Sequence, residues 1–153
     1  MLRKVMFFWG IVILLFVTGC DEPENWEELE NESTASELVQ FMDDYKEAWE
    51  ESLEQQSYSV VEPFFIGNSH VYHMERRHHQ QLTGERKKET LLNVSDLLIE
   101  ANEYDEYRFT WNEEVEVDQV GITVTEKRTR TYYIAEGRDG YRITAIERAE
   151  EEE

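Results

Sequence analysis

Residues 107–134 read YRFTWNEEVEVDQVGITVTEKRTRTYYI, and this stretch decides the fold. Tyr107, Phe109, Trp111, Val115 and Val117 fall on one parity. After a turn at Asp118 to Gly121, Ile122, Val124, Tyr132 and Ile134 share another. A period of two is the mark of strands with one face buried. Downstream, Gly137-Arg138-Asp139-Gly140 reads as a hairpin turn, with Asp139-Gly140 suited to positive backbone dihedrals. Tyr141, Ile143 and Ala145 close the series. Upstream, Val94 to Ala101 alternates more loosely. Together these segments predict a long antiparallel meander.

Before the meander the period is helical. Leu38, Phe41, Met42, Tyr45, Trp49 and Leu53 recur at spacings of three and four, which predicts an amphipathic helix from Ser36 to Gln55, capped by Ser36 or Thr34. Tyr58, Val60, Val61, Phe64 and Phe65 form a compact apolar segment, and Pro63 bars a regular helix interior there. Gly67-Asn68-Ser69 leads into a second helix over His70 to Leu82, with Val71, Met74, His78 and Leu82 near one face. Thr83-Gly84 ends it. Helices followed by a meander imply an α+β fold with the helices on one sheet face.

The amino terminus has a different chemistry. Arg3 and Lys4 precede an apolar run from Val5 to Val17, and Thr18 and Gly19 lead to Cys20. Charge, apolar run and small residues are the order of a secretory signal, and the run is shorter than the ~20 residues of a membrane-spanning helix. Val17-Thr18-Gly19-Cys20 resembles a bacterial lipobox, which implies cleavage before Cys20 and a diacylglycerol on its thiol. The other reading is an uncleaved anchor with an incidental cysteine. Both put the remainder outside the cytoplasmic membrane. Cys20 is the single cysteine, so no intramolecular disulfide can form.

Composition gives four segments: a signal peptide over 1–19, an acidic tether over 20–35, one domain over 36–149 and an acidic tail over 150–153. The formal net charge of −20 repels nucleic acid and anionic lipid at long range. One island departs from it. Arg76, Arg77, Arg86, Lys87 and Lys88 gather near His78 and His79, where they could touch a wall polyanion or simply pair with Glu75, Glu85 and Glu89.

Several stretches carry a resemblance. The helix FMDDYKEA (41–48), Ser57-Tyr58-Ser59-Val60-Val61-Glu62-Pro63-Phe64, Asn68-Ser69 with Tyr72, and Thr131-Tyr132-Tyr133-Ile134 contribute to it. So does the closing strand from Gly140 to Glu147. From Leu38 to Glu147 the chain resembles the nuclear transport factor 2-like module at the extracytoplasmic end of TcaA-type membrane proteins of Gram-positive bacteria. The resemblance implies a cystatin-like cone, a curved antiparallel sheet wrapped on amino-terminal helices, with room for a pocket. It implies no reaction.

Residues able to carry chemistry are few. His70 and His73 stand one helical turn apart, but no cysteine or HExxH arrangement supports a metal site, and none is expected. Glu126, Arg128 and Arg130 share the parity of Ile122, Val124 and Tyr132. With Trp111 and Tyr107 on the neighbouring strand they could line a pocket for an anionic group. Alternatively a bulge reverses the register and turns them outward. Asp96, between Val94 and Leu98, is the one carboxylate expected to look inward as an acid or base. No nucleophile with its base and no phosphate loop appears. The expectation is a non-catalytic surface lipoprotein that binds or assembles at the bacterial envelope, without a cofactor. Its partners would be membrane lipid through Cys20 and a cell-wall component or membrane protein. A small pocket enzyme of the same fold, or a module that dimerises through its sheet, are the alternatives.

Overall fold

The computed structural model describes residues 25–149. Cys20, the apolar run before it and the tail over 150–153 lie outside the described residues. Within the described residues the elements follow in order. A short strand β1 (Glu27–Glu28) precedes helix α1 (Glu32–Gln55). Two 3₁₀ turns (Tyr58–Val60 and Glu62–Phe64) lead to helix α2 (His70–Gly84). Four strands complete the chain: β2 (Lys87–Ala101), β3 (Glu106–Gln119), β4 (Ile122–Gly137) and β5 (Gly140–Arg148). The sheet order is β1-β2-β3-β4-β5, every pair antiparallel.

The first helix begins earlier than its apolar period predicts. Its cap is Asn31, not Thr34 or Ser36: Asn31 Oδ1 accepts from the Ser33 N–H at 3.0 Å and the Thr34 N–H at 3.2 Å. A side-chain acceptor on the first free N–H groups is what a helix start requires. Residues 25–35, read from composition as tether, therefore belong to the folded domain. Trp26 packs there as well. The Arg108 guanidinium lies 4.9 Å from the centre of its ring and Tyr133 meets it edge-on at 5.9 Å. Arg108 is in turn held by two bonds of 2.7 Å to Glu100.

The second helix starts where expected, with Ser69 Oγ accepting from the Tyr72 N–H at 3.2 Å. Its buried face is not the expected one. Val71, Glu75, His79 and Leu82 point inward, while Met74 is exposed and His78 half-buried. The true stripe has the right spacing but contains two polar residues, so a search for apolar positions rotates past it.

Strand β3 alternates as predicted, with Tyr107, Phe109, Trp111, Glu113, Val115 and Val117 all buried. Its turn to β4 has two residues, Val120 and Gly121, both at positive φ (55° and 83°). Strand β2 is longer than predicted and broken by register shifts at Leu91/Asn93 and Ser95/Leu98. The core gathers against the inner face of the sheet. Leu38, Met42, Val61, Phe109, Ile134 and Ile143 are wholly enclosed there. Phe65 extends the sheet past β5 through a single parallel bridge to Ile143.

Candidate functional site

The register between β3 and β4 runs unbroken from Gln119↔Ile122 to Glu106↔Ala135. No bulge turns Glu126, Arg128 and Arg130 away. Directly paired residues point to the same side of a sheet, so Glu113 and Arg128 share the inner face, as do Trp111 and Arg130. The helices bring further charges onto that face.

Glu113 is the hub. Its Oε1 accepts from Trp111 Nε1 at 2.8 Å and from the Tyr132 hydroxyl at 2.7 Å, and pairs with Lys46 Nζ at 2.5 Å. Glu89 is the second anchor, accepting from Trp49 Nε1 at 3.0 Å and from Arg128 at 2.6 Å. Arg128 also reaches Glu126 at 2.9 Å. The third pair joins Glu75 of α2 to Arg148 of β5. His78 stacks on Trp49 with ring centres 5.8 Å apart, and His79 Nε2 lies 3.1 Å from the Ser52 carbonyl oxygen. Among the described residues no buried side-chain polar atom lacks a partner.

Burial and pairing set the protonation states. Burial pushes Glu113 up, but Lys46, Tyr132 and Trp111 together outweigh it and hold the carboxyl below the ordinary range. For Glu89 burial is likewise outweighed, by Arg128 and Trp49. Burial pulls the Lys46 ammonium down against the attraction of Glu113. Tyr132 and Tyr45 are raised well above a normal phenol by burial first and Glu113 or Glu75 next. Burial lowers both His78 and His79. The cluster is a set of close ion pairs beside phenols and imidazoles that burial shifts toward their uncharged forms.

Little space is left among them. The cavity bounded by Lys46, Trp49, His78, Glu113 and Tyr132 holds about 30 Å³, and its neighbour beside Glu50 and Leu91 about 20 Å³. That is room for one or two waters. Among the described residues, the space between the helices and the sheet is a satisfied charge lattice rather than a substrate-sized cavity.

The predicted site residues thus share a face but not a role. Trp111 and Tyr132 are interior supports of Glu113. Glu126 is exposed at the rim, and Arg128 and Arg130 are half-buried there. Among the described residues Arg130 has no carboxylate partner; its guanidinium donates to the Thr129 carbonyl at 3.3 Å. Asp96 does not look inward. It sits exposed in a register shift at φ 53°, accepting from Asn112 Nδ2 at 2.8 Å and Ser95 Oγ at 3.0 Å. The basic island is two groups. Arg76 and Arg77 lie exposed midway along α2, whereas Arg86 to Lys88 follow its end, more than about 10 Å further at 1.5 Å per residue. Lys87 is paired to Glu85 at 2.6 Å. Among the described residues no three metal-ligating side chains come together.

Sequence reasoning missed Lys46, Glu113 and Arg148, and named Glu75 and Glu89 only as pairing partners for the basic island. Two of them carried a usable signal. Glu113 occupies the apolar parity of β3, and Glu75 sits four residues from both Val71 and His79.

Comparison with known proteins agrees with this architecture. A family profile described as "TcaA protein NTF2-like domain" matches residues 34–147. The chain belongs to this NTF2-like family. No curated protein matches it. Among solved structures, a proposed dehydratase from the NTF2-like family of Streptomyces avermitilis superposes with a TM-score of 0.56 at 10% identity, over 74% of this chain and 96% of that one. Aln2 from another Streptomyces strain gives 0.55 at 12% identity, over 79% and 94%. An NTF2-like protein with a cystatin-like fold from Novosphingobium aromaticivorans gives 0.48 at 12% identity, over 86% and 91%. At these identities the first two show a likeness of fold alone. Among the described residues no helix is long and apolar enough to cross a membrane.

Proposed function

We propose that this NTF2-like chain is a non-catalytic binding or assembly domain, held by a lipid on Cys20 at the extracytoplasmic face of a bacterial membrane. The observation that carries the non-catalytic part is the filled cone. The ion pairs of Glu113, Glu89 and Glu75 occupy the place where an enzyme of this shape would need an open acid or base, and about 30 Å³ remains. The signal-like order before Cys20 supports the anchor. A wall component or a membrane protein fits such a position. A small pocket enzyme is the second reading, favoured by His78, an imidazole at the edge of the cavity whose pKa burial lowers.

The anchor is tested by metabolic labelling with a palmitate analogue and membrane fractionation in a bacterial host. The chain should carry label and sediment with membranes, and Cys20→Ser should lose both. Label retained by Cys20→Ser would remove the lipoprotein reading. Saturable thermal stabilisation by a wall fragment, unaffected by His78→Gln, would separate binding from catalysis.

A further inference from the structure

Strand β4 outruns its outer neighbour. β5 pairs with it from Gly137↔Gly140 to Arg130↔Arg148, and the Ala149 N–H then reaches the Thr129 carbonyl at 3.4 Å. Beyond that point, from Ile122 to Arg128, the outer edge of β4 has no partner strand among the described residues. The inner edge stays paired with β3 throughout. Backbone direction alternates along a strand. The outward carbonyl of Thr129 therefore sets the open edge: Thr123, Thr125 and Lys127 present their N–H and C=O groups outward.

The surroundings of this edge carry a pattern. At one end Ile122 is 72% exposed and Val124 56% exposed. At the other end Lys127, Arg128 and Arg130 border a recess of about 500 Å³ with Glu126 as its acid. Arg130 has no carboxylate within ion-pair distance there among the described residues; burial and the Arg128 charge lower its guanidinium below the ordinary value, and the more distant Glu113 charge offsets them only in part. In a chain of net charge −20 this is a local positive field beside unused backbone donors and acceptors.

We propose that the open edge of β4 binds an extended acidic peptide strand of a partner protein by strand addition. Main-chain bonds to Thr123, Thr125 and Lys127 supply affinity, and alternate side chains supply selection. On the inner side the added strand meets Ile122 and Val124 with apolar side chains, and a carboxylate at its far end, beside Arg128, lies within side-chain reach of Arg130 across the last rung of β5. A segment of about six to eight residues fills the edge before β5 blocks it. A carboxylate on Arg130 gives that cation a partner it lacks among the described residues. Lys127 guards the edge against indiscriminate pairing, and an acidic strand neutralises that guard. A second copy fits less well, since its β4 edge would bring the same positive groups and the same net charge. The proposal rests on the binding reading above and names its partner.

The test is fluorescence anisotropy on the full mature chain. The probe is a labelled ten-residue peptide with threonine at every second position, valines between them in one half and glutamates in the other. Binding should saturate, and should fall at least about tenfold when lysine replaces glutamate or when Arg130→Glu is introduced. Thr125→Pro removes one outward N–H without touching the β3 ladder. It should abolish binding at unchanged melting temperature. Equal binding of the lysine peptide, or full binding by Thr125→Pro, would overturn the proposal. So would a sedimenting dimer that Thr125→Pro dissolves, which would assign the edge to a second copy. Binding seen only after deletion of residues 150–153 would assign it to the chain's own terminus. Labelling at Cys20 is independent of all these outcomes, so either idea can fail alone.

Discussion

Ile134 and Ile122 stand on the same strand and the same face, yet Ile134 is wholly enclosed and Ile122 is 72% exposed. Chemistry and pattern are identical at the two ends of β4. The difference lies in what covers them. Among the described residues the core that forms against the sheet includes Ile134 and stops short of Ile122. Between the two ends lie Arg128 and Arg130, where enclosure gives way to solvent. Alternation assigns a residue to a face, and only tertiary cover decides whether that face is dry.

The largest effect should come from the charged part of the covered region. Glu113→Ala leaves the Lys46 ammonium, the Trp111 N–H and the Tyr132 hydroxyl without their shared acceptor. Removing one member of a buried pair costs about 3–5 kcal/mol, measurable by urea unfolding. A cost near zero would mean the lattice is open to water and the two ends are not so different. The same carboxylates set the acid limit. Glu113 and Glu89 titrate below their unfolded value, so the unfolded chain takes up protons first as pH falls. Their stabilisation is complete above about pH 4.3 and is lost as pH falls through the folded values. Glu113→Gln should therefore flatten the decline in stability across that range, and an unchanged slope would count against the ion pair.

Next in size, Ile134→Ala should cost about 2–5 kcal/mol, because it opens a cavity in a packed core. At the open end the sign reverses. Val120 is a β-branched residue held at φ 55° in the β3–β4 turn, a conformation that costs on the order of 1 kcal/mol or more outside glycine and asparagine. Val120→Asn should raise the unfolding free energy by roughly 1 kcal/mol; a loss would show that Val120 packs against something. The smallest effect is expected for Ile122→Ala, within about 0.5 kcal/mol as for most exposed sites. A cost like that of Ile134→Ala would erase the contrast between the ends and reveal a covering partner.

Much of this architecture was legible in the residues. The odd positions of β3 and the even positions of β4 predicted two paired strands, and their uninterrupted register follows from a two-residue turn at Val120-Gly121. The fold class and the family resemblance stand with them. What stayed hidden was polar. Glu113 and Glu75 lie on buried stripes but are charged, and a pattern search discounts charge because an unpaired buried carboxylate is costly. Here each is paired by a cation from a distant segment, Lys46 or Arg148, and no local spacing can announce such a partner. Asp96 was misplaced for another reason: the register shifts in β2 reverse the alternation on either side of it. The helix start was missed because Asn31 caps it from within an acidic run that looks like tether.

The order of the sheet has a kinetic consequence. Strands β2 to β5 each pair with the next in the chain, so the loops that must close are short turns at 102–105, 120–121 and 138–139. Closing short loops loses little chain entropy, and proteins rich in local contacts fold quickly. The meander can assemble hairpin by hairpin. The bond from Trp49 to Glu89 spans 40 positions and that from Glu75 to Arg148 spans 73. Closing these longer loops loses more chain entropy, so the charge lattice is expected to form after the hairpins, a lock on a sheet already in place; Glu113→Gln should then speed unfolding and leave the folding rate nearly unchanged.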